Sequence, residues 1–291
     1  MEYQYYPGCT LKTKAKNFDE ALHNVATALD ITLMELPEWV CCGAVLPLAT
    51  DNDMRLLAPI RNLAKADAIT QTLVTSCAFC YNILKRTNAL LHNDPARHEK
   101  INKFLEEPYS GQVQVRHILE ILRDDIGFHT LRMKRKRKVP LTIAPYYGCM
   151  LLRPPDILQI DNPEHPSLLT HLFESVGCRV IEYPYQTECC GSYVTLQSQS
   201  VALDRIKMLI TTALERGADT IVCSCPLCFF NLDYFQQLLQ RLDTSFVPVP
   251  IFYFSQVLSL AFDVCEMHWF STHHIDPRPL LSSTGCLPEV L

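Results

Sequence analysis

Apolar positions along this chain alternate between two periods. Residues 3–7 form a short aromatic, strand-like run that ends at Pro7-Gly8-Cys9. Over residues 17–29, Phe18, Ala21, Leu22, Val25, Ala28 and Leu29 recur at the three- and four-residue spacing of a helix with one buried face. Residues 31–36 then read as a strand closed by Pro37, residues 51–66 as a helix, residues 69–75 as a β-branched strand and residues 81–91 as another helix. The order returns later, with strands at 141–146, 179–183 and 220–222 and helices near 167–176 and 200–216. Residues 247–252 predict a last strand and residues 254–262 an amphipathic helix. Residues 93–120 are more polar and poor in strand signals, and residues 271–291 predict an extended tail.

Strands that alternate with helices imply right-handed crossovers and a mostly parallel sheet. The fold class is therefore α/β: two pseudo-repeated α/β domains, residues 1–131 and 140–291, joined by a basic linker at 132–139. In such sheets functional groups collect beyond the C-terminal ends of the strands. Each half carries its cysteines after strands, so the cysteine loops are expected to converge at the domain interface.

The cysteines show that the halves are one unit used twice. Gly8-Cys9, Cys41-Cys42-Gly43 and Cys77-x-x-Cys80 are matched by Gly148-Cys149, Cys189-Cys190-Gly191 and Cys225-x-x-Cys228. Four of the five cysteine offsets are 148 residues and the first is 140, which identifies a repeat before any fold is assumed. Core packing does not demand a shared offset. It does explain Cys178, Cys223, Cys265 and Cys286, which fall outside the repeat.

Five thiols per set exceed the four ligands of a tetrahedral zinc site, and adjacent cysteines in an extended segment point apart. A larger iron–sulfur group spaces its coordination points more widely and is held by thiolates. Gly8, Gly43, Gly148 and Gly191, four of only nine glycines, adjoin motif cysteines and let backbone amides come close to bound sulfur. A redox pair at a Cys-x-x-Cys and a structural zinc protein remain as alternatives.

Composition narrows the class further. With 291 residues the chain can bury two cores. The N-terminus has no apolar stretch of the signal-peptide kind, so a reducing, cytoplasmic setting is expected, where clustered thiols serve metal or redox chemistry. No apolar stretch reaches the roughly 20 residues of a membrane span. Six of the 26 basic residues crowd into positions 132–138; without them the balance is 20 basic against 31 acidic. That run reads as a solvated linker, with a docking patch for an acidic surface as the alternative, and gives no nucleic-acid footprint. Neither a dinucleotide nor an NTP motif is present, so electrons for any redox step come from elsewhere. His268, His273 and His274 form a loose C-terminal group; His273 and His274 are weak candidates for supplying protons, against an exposed tail without that role.

The two cysteine sets together resemble the Cys-Cys-Gly domain proteins typified by the B-type subunit of heterodisulfide reductase, over residues 1 to about 262. The resemblance implies two noncubane [4Fe-4S] clusters, one on Cys9, Cys41, Cys42, Cys77 and Cys80 and one on Cys149, Cys189, Cys190, Cys225 and Cys228. It implies cleavage or formation of a disulfide between facing clusters. It also implies electrons from a ferredoxin-type iron–sulfur subunit and a flavin-bearing subunit. Relatives of this architecture also serve sulfur oxidation and unusual succinate:quinone reductases, so an electron-transfer role near a membrane is the alternative, with residues 254–262 as its candidate surface helix.

Overall fold

The computed structural model describes residues 1–44 and 52–287; the first residue expected in the 51–66 helix and the last four of the tail lie outside them. In the first half β1 (Glu2–Tyr5), β2 (Thr32–Glu35), β3 (Thr72–Thr75) and β4 (Gln114–His117) form a parallel sheet in the order β2-β1-β3-β4. In the second, β5 (Thr142–Tyr146), β6 (Arg179–Val180), β7 (Thr220–Cys223) and β8 (Ile251–Tyr253) repeat it as β6-β5-β7-β8. The repeat seen in the cysteines is thus a repeat of topology.

Parallel pairing obliges each connection to cross a face of the sheet. The first half supplies α1 (Lys16–Ala28), α2 (Leu57–Asp67), α3 (Ala78–Asn93), α4 (Pro95–Asn102), α5 (Ile118–Glu120, continuing as a π-helical turn at Ile121–Ile126) and α6 (Phe128–Lys134). The second supplies α7 (Pro155–Leu158), α8 (Leu168–Ser175), α9 (Gln199–Glu215), α10 (Pro226–Leu242), α11 (Phe254–Phe262) and α12 (Arg278–Ser283). All four residues of β7 are buried, as expected of a central strand covered on both faces.

The polar stretch 93–120, expected to carry no strand, contributes β4. Only Val115 and His117 of that strand are buried, and two inward positions are too few to register as a pattern. In both halves the last strand runs straight into a helix whose third residue reaches back. Glu120 Oε2 accepts from His117 N at 2.7 Å and Gln256 Oε1 from Tyr253 N at 3.0 Å, one arm of a capping box used twice.

The two halves share one continuous hydrophobic core. Helix α1 packs along α11, and all nine residues of α11 are buried, so the expected surface helix is an interior one. Phe18 of α1 stacks on Tyr253 (4.3 Å between centroids, 5° between planes), and Phe229 of α10 stacks on Tyr253 in turn (4.1 Å, 15°). Phe18→Ala is expected to cost about 3–5 kcal/mol and to lower a single calorimetric transition for the whole chain. Two transitions, of which only the first moves, would contradict a shared core.

The basic run leaves Arg132, Lys134, Lys136 and Lys138 exposed and is tied to the fold at three points. Lys134 pairs with Asp30. Arg135 Nη1 donates to Ser175 O and Arg137 Nε to Leu260 O, each at 2.8 Å. Those carbonyls belong to the last turns of α8 and α11, where cations complement exposed C=O groups and the helix dipole. The tail is not extended either: residues 267–272 form a 3₁₀ turn and α12 follows. Pro277 and Pro279 occupy the start of α12, where a missing N–H costs nothing.

Candidate metal centre

Every motif cysteine follows the C-terminal end of a strand, Cys9 after β1, Cys41 and Cys42 after β2, and Cys77 after β3 as the N-cap of α3. In the first set Cys9 Sγ lies 3.5 Å from Cys41 Sγ, and Cys42 Sγ 3.7 Å from Cys80 Sγ. The Cys41 thiol also interacts with that of Cys42, and the Cys80 thiol with that of Cys77. The sulfurs therefore run in the order Cys9, Cys41, Cys42, Cys80, Cys77. The second set runs Cys149, Cys189, Cys190, Cys228, Cys225, the same sequence of equivalent positions. Among the described residues no three or more His, Cys, Asp or Glu side chains are arranged to hold a single metal ion. Five thiols in a row are instead the kind of donor set that holds an iron–sulfur group.

Close sulfurs share protons unevenly. The neighbouring Cys41 and Cys80 hold Cys42 well below the usual thiol range. Cys149 and Cys190 do the same for Cys189. The protons are correspondingly retained on Cys41, Cys80, Cys149 and Cys228. Each row thus favours a thiolate within it, the form that binds metal.

The surroundings fit such a group. A Cβ at Gly8 would lie 2.7 Å from Cys80 Sγ and one at Gly148 3.2 Å from Cys228 Sγ, with φ of +75° and +64°. Only glycine meets both demands. Gly191 N donates to Cys189 Sγ at 3.3 Å, and Gly43 N stands in the same relation to Cys41. The backbone N–H groups of Cys228 and Leu227, in the first turn of α10, face Cys225. Ser224 Oγ and Thr75 Oγ1, one and two residues before Cys225 and Cys77, are buried without a hydrogen-bond partner among the described residues. Hydroxyls and amides directed at a buried, anionic sulfur-containing group would be satisfied by it.

Two tyrosines that no sequence motif singled out anchor the rows. Tyr6 Oη donates to Val40 O at 2.8 Å, and Tyr146 Oη to Glu188 O at 2.6 Å. Each carbonyl belongs to the residue before a double cysteine, so each phenol pins a Cys-Cys-Gly turn to the strand carrying the preceding Gly-Cys. The signal was present as a tyrosine two residues before each Gly-Cys glycine. Tyr146→Phe is expected to cost about 1 kcal/mol of stability for the lost bond and to loosen metal retention by the second set only, read by chelator-challenge kinetics. Unchanged kinetics would show that the turn holds itself.

The halves meet at these rows. Asn82, two residues past Cys80, donates to Met150 O and Arg153 O of the turn after Cys149, both at 2.7 Å. Phe79, inside the first Cys-x-x-Cys, lies 5.5 Å from Tyr193, which senses Cys149, Cys225 and Cys189. On the opposite side, a cleft of about 800 Å³ opens between the Thr10–Ala15 turn after Cys9 and the first turns of α10, including Pro226, Leu227 and Phe230. The cleft is bounded by elements of both rows.

His274 lines this cleft and is exposed. His273 is half-buried, with its ring against Phe229, Phe252 and Phe270 and Nε2 3.0 Å from Gln256 Nε2. Burial keeps it neutral, its pKa lowered to about 4. Asp233 also borders the cleft, accepts from His274 N and Ile275 N at 2.7 and 3.1 Å, and is raised to about 6 by burial. Cys178, Cys223 and Cys286 are buried, and Cys265 is half-buried.

The family described as a cysteine-rich domain, CCG, matches residues 3–85 and 143–233. The chain belongs to the CCG cysteine-rich domain family. This CCG protein is similar to the 8-methylmenaquinol:fumarate reductase membrane anchor subunit of Wolinella succinogenes, at 30% identity over 94% of this chain and 96% of that one. It is similar to the B-type subunit of the ferredoxin/F(420)H(2)-dependent CoB-CoM heterodisulfide reductase of Methanosarcina acetivorans, at 27% identity over 88% and 87%. A hypothetical protein from Helicobacter pylori shares the fold, with a TM-score of 0.75 at 13% identity over 94% of this chain; this chain spans about half of that one, 51%. The likeness to the heterodisulfide reductase subunits marks an iron–sulfur oxidoreductase at the level of the family, and these relatives are named as subunits of larger enzymes. Among the described residues no helix is long and apolar enough to cross a membrane.

Proposed function

We propose that this chain is the catalytic subunit of a heterodisulfide reductase-like complex, which reduces a disulfide, or forms one in reverse, at two noncubane [4Fe-4S] clusters. The observation that carries this reading is the cleft bounded by the Cys9 turn of one row and the Cys225–Cys228 helix of the other. A single substrate there would have one half near each row. Cys9, Cys41, Cys42, Cys77 and Cys80 would hold the first cluster and Cys149, Cys189, Cys190, Cys225 and Cys228 the second.

The overall change converts one disulfide, two electrons and two protons into two thiols. When bound, the clusters would supply the electrons and iron with an affinity for sulfur. The chain's own contribution is placement. Asn82 locks the two halves in register, Leu227 and Phe230 give the cleft an apolar wall, and Thr10 and Thr13 offer hydroxyls at the cleft. His274 stands at the cleft as an exposed group able to exchange protons with solvent. A ferredoxin-type iron–sulfur subunit, fed by a flavin-bearing subunit, would deliver the electrons in the cytoplasm.

A second reading, an electron-transfer and docking subunit of a fumarate- or succinate-linked quinone enzyme, is favoured by the near full-length likeness to the Wolinella succinogenes subunit. The burial of α11 removes the surface helix expected to serve it. EPR spectra of anaerobically prepared, oxidised protein with and without added thiol separate the two. A signal altered by thiol is expected; a signal that ignores thiol would favour electron relay.

A further inference from the structure

The repeat lets the two sides of the interface between the halves be compared position by position. On one side the second half grips α3. Asn82 donates to Met150 O and Arg153 O, and Tyr81 Oη and Lys85 Nζ donate to Leu158 O at 2.9 and 2.7 Å. These carbonyls belong to the long connection, residues 150–167, that joins Cys149 to α8 and includes α7. On the other side the corresponding connection, from Cys9 to α1, is only residues 10–15 and contains no helix. The cleft of about 800 Å³ opens there, against α10. It stands where the repeat leaves α7 without a counterpart.

Adding the 148-residue offset to Asn82 and Arg86 of α3 gives Phe230 and Tyr234 of α10. Both line the cleft, and they are 48% and 41% exposed. They stack on each other at 5.1 Å and 9°. The buried ring of Phe235 braces them at steep angles, 6.2 Å from Phe230 and 5.1 Å from Tyr234. His274 meets Tyr234 edge to face from the tail, at 4.9 Å. Large apolar side chains left in water forgo the free energy of burial. Because their neighbours already hold these two in one arrangement, a ligand that covers them has little ordering left to impose. A stacked pair is also suited to extension by a third ring.

We propose, on the disulfide reading above, that Phe230 and Tyr234 form the subsite that holds an apolar, ring-sized arm of the substrate, on the side of the interface that α7 leaves open. Leu227, between Cys225 and Cys228, lines the same cleft, so an arm lying on this shelf leads toward the second row. Beside the first row the equivalent positions, Asn82 and Arg86, offer no apolar shelf.

The test uses anaerobically prepared full-length protein with its metal, titrated with benzyl mercaptan and with 2-mercaptoethanol, and follows the cluster EPR signal. In the unmodified protein benzyl mercaptan is expected to act at about tenfold lower concentration, the size of one ring-on-ring contact. In Phe230→Ala that advantage should largely disappear while 2-mercaptoethanol acts as before, and Phe230→Tyr should keep it. Intrinsic differences between the thiols cancel in the comparison of variants. Circular dichroism and iron content establish that each variant is folded and loaded, and a variant failing either check is replaced by Tyr234→Ala. Equal action of the two thiols on the unmodified protein, or an advantage that survives Phe230→Ala, would overturn the subsite. No response to either thiol would overturn the disulfide reading, and the subsite with it.

Discussion

Alanine at Gly8 is expected to empty the first cysteine row while leaving the second filled. Its Cβ would stand 2.7 Å from Cys80 Sγ at a φ of +75°, so the chain must move the Cys9 turn, displace Cys80, or both. Backbone strain alone costs about 1–2 kcal/mol for a non-glycine residue in this region. The steric term falls on the sulfur geometry itself. Iron per chain should drop by about half on anaerobic purification, the share of one of two [4Fe-4S] clusters. Gly217 provides the comparison, because it has a similar φ of +82° and nothing within 4 Å of the added Cβ. Gly217→Ala should carry the strain without losing metal. Full iron in Gly8→Ala would contradict the close packing of glycine and sulfur.

Serine at Cys190 is expected to have the complementary effect. Cys190 is 2% exposed and stands in the middle of the second row, between Cys189 and Cys228. Asn231 Nδ2 approaches its sulfur at 3.9 Å and donates to its carbonyl at 3.2 Å. Serine keeps the shape but not the soft thiolate that iron–sulfur groups require. The variant should lose about half of its iron and sulfide and any thiol-dependent EPR signal that needs both rows. Cys178→Ala, at a buried thiol outside the repeat, should lower the melting temperature and leave the metal content intact. Equal metal loss in both variants would mean that general destabilisation, not ligation, is being read.

The architecture was legible because its two signals are independent. Alternating strand and helix periods gave the layer order, and the constant offset of the cysteines gave the repeat. What escaped the sequence lies where local pattern is short or tertiary context decides. β4 has only two inward residues. The apolar periodicity of α11 could not say whether water, lipid or α1 covers it, and α1 does. The ties of the basic run were not visible because sequence does not show the helix C-termini that Arg135 and Arg137 reach in the folded chain. At the site, the ten cysteines were visible through their spacing. Tyr6 and Tyr146 were not singled out because aromatic residues near a strand end are ordinary, and only the fold shows which carbonyl each one holds.

Iron and acid-labile sulfide per chain, measured on protein kept strictly anaerobic, address the paired sulfur rows most directly. Two clusters of the proposed kind require about eight of each, in brown protein. Zinc in place of iron, or iron without matching sulfide, would contradict them and leave the ten cysteines as ligands of a structural metal.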